Sequence, residues 1–238
     1  MDAAIRQTSC ELDLQKSMGE RLRQLADFEI VIVCDDSGSM LTKVDGTQRT
    51  RWDELYEIVK IVLKIGVMFD SNGVDIHFLN RGSFTNVKDP CVVDQYFQAP
   101  PSGYTPLVPV LNEIFTSKLA YRGRDKKLLV FVATDGVPTD NNGDENVVEL
   151  KRTMQEIRQI DTTYVSFLLC TDESNCIDYL NEWDQKMTNV DVTDDFHTER
   201  EKVLRYSKGK QRFSRGDYVV KALVGAIDPE MDALNEPH

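Results

Sequence analysis

Several things are scarce in this chain, and each scarcity closes a class of function. No stretch reaches the ~18 consecutive apolar residues that a membrane span needs. Asp2, Arg6, Glu11 and Asp13 break up any signal-like apolar segment near the start. Histidine is limited to His77, His197 and His238, scattered with no partner spacing, and the H-E-x-x-H, G-x-S-x-G, Walker A and G-x-G-x-x-G patterns are all missing. The five cysteines, Cys10, Cys34, Cys91, Cys170 and Cys176, form an odd set without a C-x-x-C pair and read as reduced thiols. No N-x-[ST] sequon occurs. Together these absences point to a cytoplasmic protein without a transmembrane segment. Positive charge is short as well: 28 Lys and Arg face 40 Asp and Glu, a net charge of −12, which repels phosphate backbones and argues against a nucleic-acid partner.

What is present is an alternation of short β-branched runs and helical patterns. Residues 28–34 and 127–134 read as strands buried on both faces, with further strands at 74–80, 164–170 and 190–192. A turn at Arg81 and Gly82 leads into a short antiparallel edge strand. Leu14, Met18, Leu22 and Leu25 recur at helical spacing, predicting a lead-in helix over 12–25. Thr50 and Asp53 resemble a capping box that opens a helix over 52–68, apolar on most sides. Pro106 suits the first turn of a helix over 107–119. Helices follow at 145–160, 176–187, from 198, and 218–234, while 90–98 stays ambiguous. The pattern is that of an α/β protein, three-layered and doubly wound, its sheet mostly parallel.

In such sheets ligands bind outside the carboxyl ends of the strands. The polar residues found there are Asp35, Ser37 and Ser39 after the first strand, Thr105 before the 107–119 helix, and Asp135 after the 127–134 strand. Three hydroxyls and two carboxylates are hard oxygen donors, suited to Mg²⁺ or Mn²⁺ and not to zinc or copper. Asp36, between them, is read as facing solvent or standing behind the ligands. The segments Asp35-Asp-Ser-Gly-Ser39, Gly103-Tyr-Thr-Pro-Leu107 and Thr134-Asp-Gly136 resemble the metal-ion-dependent adhesion site (MIDAS) of the von Willebrand factor A (VWA) domain. The stretches Arg51-Trp-Asp-Glu-Leu55 and Thr134 to Asp140 are similar to its intracellular, copine-like branch.

That resemblance implies a Rossmann-like VWA fold over 28–235 as a single domain, and residues 1–27 before it are read as an N-terminal lead-in helix. It implies a metal held by Asp35, Ser37, Ser39, Thr105 and Asp135, with Mg²⁺ expected and Mn²⁺ or Ca²⁺ as alternatives. A protein partner would complete the metal's shell with an acidic side chain. The last helix would shift on occupancy. No catalytic residue is implied: a hydrolase using the same ion would need a general base beside it, and none is evident.

Other features have blander readings. The acidic loop at Asp140, Asn142 and Asp144 fails as an EF-hand, with Glu145 where Gly is needed and Lys151 where Glu is needed. Arg215-Gly-Asp217 is read as a helix start, with Gly216 ending one element and Asp217 capping the next. Residues 200–221 carry eight basic side chains against Glu201 and Asp217, a local +6. This basic patch is read as a solvated helix, with a metal-independent docking face, for acidic protein or an anionic surface, as the alternative.

Overall fold

The structure is a computed structural model that describes residues 2–117, 126–171, 173–207 and 212–235. Four successive β-branched residues, Ile30 to Val33, form the middle of β1 (Phe28–Cys34), which lies inside a six-stranded sheet. The other strands are β2 (Val74–Phe78), β3 (Gly82–Val87), β4 (Lys127–Thr134), β5 (Thr163–Leu169) and β6 (Val190–Thr193), in the order β3-β2-β1-β4-β5-β6. All neighbours run parallel except the edge strand β3, which is antiparallel to β2. The expected fold class is therefore the observed one.

Strand alternation divides the core into two faces. Ile30, Ile32, Leu129 and Phe131 point to a layer formed by α1 (Asp2–Glu11), α2 (Lys16–Arg21), α3 (Arg51–Phe69) and α9 (Arg215–Val224). Val31, Val33, Val130 and Val132 point to the layer of α5 (Leu107–Thr116), α6 (Val147–Arg152) and α7 (Ser174–Lys186). Short α4 (Val93–Tyr96), α8 (Phe196–Tyr206) and α10 (Pro229–Asp232) complete the described helices. The Thr50–Asp53 capping box forms as expected, satisfying two orphan amides at the start of α3.

Three helix expectations need correction. The 12–25 helix is instead a turn after α1 at Asp13 with φ of 53°, then α2, and a 3₁₀ turn over Leu22–Asp27. The break lets the Gln15 amide donate to Asp217 Oδ1 at 2.8 Å. The 145–160 helix is α6 continuing into a single π turn, Thr153–Ile157. The 218–234 helix ends at Val224, because Pro229 lacks an amide to continue it, and Asp228 caps the short α10. Ser214, not Asp217, is the cap of α9, and Gly216 lies inside its first turn, where a Cβ would meet the Leu12 carbonyl oxygen at 2.2 Å. The 107–119 helix ends at Thr116, with Ser117 already extended, and residues 118 and 119 lie outside the described ones.

The 200–221 stretch is mostly not a free cationic face. Lys202 pairs with Asp194, Arg205 with Glu201, Arg212 with Asp13 and Arg215 with Glu54, while Lys208 and Lys210 lie outside the described residues. Lys221 is fully buried, 3.2 Å from the equally buried Glu199. Burial pushes the nearby Asp191 up to about 8, against the pull of the Lys221 ammonium. Carboxylate oxygens of Asp191, Asp184 and Asp232 lie within 4.8 Å of one another, so Lys221 is the charge that offsets this acidic edge. Lys221→Met is expected to cost about 3–5 kcal/mol in urea unfolding at neutral pH. The loss should shrink at lower pH, where the carboxylates take up protons.

Candidate metal centre

The chain runs from β1 to β2 on one side and later returns to β4 on the other, so the topological switch lies between β1 and β4. Loops leave the two strand ends in opposite directions there, opening a crevice. Asp35 follows β1 and Asp135 follows β4, and both are buried at that crevice. The Asp35 amide donates to the Ala133 carbonyl at 2.9 Å, extending the strand pairing by one residue and fixing the Asp35 backbone.

A continuous polar chain joins four of the five sequence-derived residues, Asp35, Ser37, Ser39 and Asp135. Asp35 Oδ1 accepts from the Ser37 amide at 2.9 Å, and Asp35 Oδ2 from the Thr134 hydroxyl at 2.7 Å. Ser37 Oγ and Ser39 Oγ are 2.9 Å apart, and Ser39 Oγ donates to Asp135 Oδ1 at 2.8 Å. Thr105 is buried in the neighbouring loop, its Oγ1 3.8 Å from where a Cβ on Gly136 would stand. The Thr105 amide donates to Thr139 Oγ1 at 2.9 Å, and its carbonyl accepts from the Thr139 amide at 2.9 Å, which ties the Thr105 loop to the loop after β4.

Asp36 does not face solvent; it is buried and works behind the crevice. Its Oδ2 accepts from Arg81 Nε at 2.7 Å and its Oδ1 from the Asn80 amide at 2.8 Å. Arg81 donates onward to the carbonyls of Tyr96, Ala99 and Pro100, and Asn80 Nδ2 to that of Tyr104. This strut orders the loop that carries Thr105. Gly103 in the same loop has φ of 102°, which favours glycine, and its carbonyl accepts from the Gly38 amide at 3.1 Å.

Arg51 is the residue that motif reading did not assign to the site. It opens α3, is 8% exposed, and donates from Nη1 to Asp135 Oδ2 at 2.9 Å. From Nη2 it donates to Thr171 Oγ1 at 2.8 Å and Glu173 Oε1 at 2.6 Å. Burial works against its charge, but Glu173 and Asp135 hold its pKa above the ordinary value. One sequence signal was available: a cation at the first turn of a helix opposes the macrodipole, so some other interaction has to hold it there. Arg81 and Asn80 offered no comparable signal.

The assembled donors are all oxygen, with no imidazole or thiolate among the five, which fits a hard divalent ion. Two buried carboxylates facing a single guanidinium also leave negative charge for an ion to offset. Burial and the neighbouring Asp135 raise Asp35 to about 6.

No protein-family model matches the chain, and no curated protein does. Among solved structures, the chain is similar to the manganese-loaded TRAP protein of Plasmodium vivax, with 14% identity and a TM-score of 0.46, over 74% of this chain and 71% of that one. It is also similar to the pilus adhesin SpaC of Lactobacillus rhamnosus GG, with 14% identity and a TM-score of 0.46, over 87% of this chain and 30% of that one. The fold described above rests on strand order and register, independently of these distant likenesses.

Because Asp35 ionises less readily in the folded chain, the ion-free protein loses stability as pH rises from the ordinary carboxylate range to about 6. Asp35→Asn removes that penalty. Measured by urea unfolding without divalent ions, the variant is expected to exceed the wild type by about 1–3 kcal/mol above pH 6, a gain that vanishes below about pH 4.

Proposed function

We propose that this chain is a VWA-type interaction module of the MIDAS kind, in which Asp35, Ser37, Ser39, Thr105 and Asp135 hold a Mg²⁺ or Mn²⁺ ion that receives an acidic side chain from a protein partner. The observation that carries this reading is the unbroken hydrogen-bonded line from Asp35 through Ser37 and Ser39 to Asp135 at the switch point of the sheet. Three hydroxyls and two carboxylates do not fill an octahedral shell, so a divalent ion held in this crevice would keep a position open for an oxygen from a partner. The bound ion supplies Lewis acidity, and this chain's part is to orient oxygens and limit water.

The surroundings suit a protein partner. Leu41, two residues beyond Ser39, is 50% exposed, and Tyr104, next to Thr105, is 54% exposed. Exposed apolar side chains beside a polar centre give a partner something to bury around its carboxylate. No general base is evident among the described residues that line the crevice, so the reading is of a binding module and not an enzyme. No helix of the described residues is long and apolar enough to cross a membrane, and Cys10, Cys34, Cys91 and Cys170 are free thiols, both compatible with the cytoplasm as the setting. A metal-independent scaffold acting through the basic stretch is the less favoured reading, since most of its described cations are already paired.

Calorimetric titration of the chelator-stripped protein with Mg²⁺, Mn²⁺ and Ca²⁺ tests the proposal. One saturable site is expected for Mg²⁺ and Mn²⁺, weakened about 100-fold or more in Asp135→Ala while cooperative unfolding is retained. Equal binding by the wild type and the variant would sink it.

A further inference from the structure

Arg51 stands where a metal centre would ordinarily gain nothing from a cation. It holds the outer oxygen of Asp135, whose inner oxygen accepts from Ser39, so it touches the centre without displacing any of the five oxygen donors. Its other arm reaches Thr171 and Glu173, on the far side, where a cavity of about 280 Å³ opens between the ends of β5 and the starts of α3 and α8. The Arg51 guanidinium is thus the wall between the crevice and that cavity. The two partners of its charge differ: the Asp135 side chain is fully buried, while that of Glu173 is 59% exposed and screened by water.

The charge count decides what such a wall does. Asp35 and Asp135 alone would cancel a divalent ion, and a neutral loaded centre has little reason to prefer a carboxylate over water. With Arg51 in place the loaded centre carries one net positive charge, which Glu173 returns only in part. Building on the metal-binding reading above, we propose that Arg51 is a specificity-determining residue. It keeps the loaded centre electropositive, favouring a carboxylate-bearing partner at the expense of ion affinity, with Glu173 as the exposed counterweight that sets the balance.

Two substitutions on the same ion pair then act in opposite directions. Arg51→Gln removes a positive charge beside the ion, and Mn²⁺ should bind about ten-fold tighter; Glu173→Gln removes a negative one, and Mn²⁺ should bind about three-fold more weakly. Arg51→Lys, which keeps the charge, should stay within about three-fold of the wild type. General damage to the site would weaken all of them together.

The test is Mn²⁺ titration of the whole chain by calorimetry for wild type and these three variants. It is paired with water-proton relaxation of the bound Mn²⁺ as sodium glutarate is added as a carboxylate probe. Glutarate should displace water from the wild-type ion at several-fold lower concentration than from the Arg51→Gln ion. Unchanged or weaker Mn²⁺ binding by folded Arg51→Gln, or equal glutarate response, would overturn the proposal and leave the metal reading standing. Absence of saturable Mn²⁺ binding by the wild type would overturn both. Should Arg51→Gln fail to fold, the surface variant Glu173→Gln carries the test alone, and Mn²⁺ binding as tight as the wild type or tighter would count against the role.

Discussion

Two carboxylates buried at neighbouring strand ends repel each other, and the rest of this crevice is arranged around that repulsion. Asp35 and Asp135 are placed by backbone geometry: β1 and β4 are adjacent, in register from Phe28 with Lys127 to Cys34 with Ala133, so Asp35 emerges opposite Thr134 and Asp135 one residue beyond it. Neither can retreat without breaking the sheet. The molecule answers with hydroxyl and amide donors to Asp35, a serine hydroxyl to one oxygen of Asp135, and the Arg51 guanidinium to the other. Apart from Thr134 at the end of β4, the donors lie in a loop or at a helix start, where short polar side chains and free amides are available.

Asp35 and Asp36 show how adjacent residues of one type divide the labour. Alternation turns them to different sides of the chain as it leaves β1. One faces the crevice, and the other accepts from Arg81 and Asn80. Through Arg81 the second carboxylate reaches the carbonyl of Tyr96 at the end of α4 and those of Ala99 and Pro100 in the Thr105 loop, so the loop's position and that of the first serine share an origin in β1.

Much of this was legible in the residues. Long-range parallel pairing demands β-branched runs buried on both faces, and the 127–134 strand was marked by its composition to the residue. The five oxygen donors follow from strand ends plus three short motifs, and the structure joins four of them directly by hydrogen bonds. The helices were less legible because helical periodicity reports burial and not continuity. Leu14, Met18, Leu22 and Leu25 are all buried as expected, yet the backbone between them changes from turn to helix to 3₁₀ so that Gln15 can reach Asp217. The roles of Lys221 and, beyond the oddity of a cation in a first helical turn, of Arg51 were hidden for a different reason. Each is a cation whose meaning depends on partners far away in sequence, Glu199 and Asp191 for one, Asp135, Thr171 and Glu173 for the other.

The contact between the lead-in segment and α9 also has a consequence in time. Gln15 binds Asp217 across 202 residues, Arg212 binds Asp13, and Arg21 reaches Asp228. During synthesis at ~5–20 residues per second, the first segment waits roughly 10 to 40 s for its partners to leave the ribosome. Through that interval the apolar side chains of Ile5, Leu14, Met18 and Leu22 have no α9 to close over them. The packing of the lead-in segment is therefore a late step, and until α9 has been made that segment is the exposed and chaperone-accessible part.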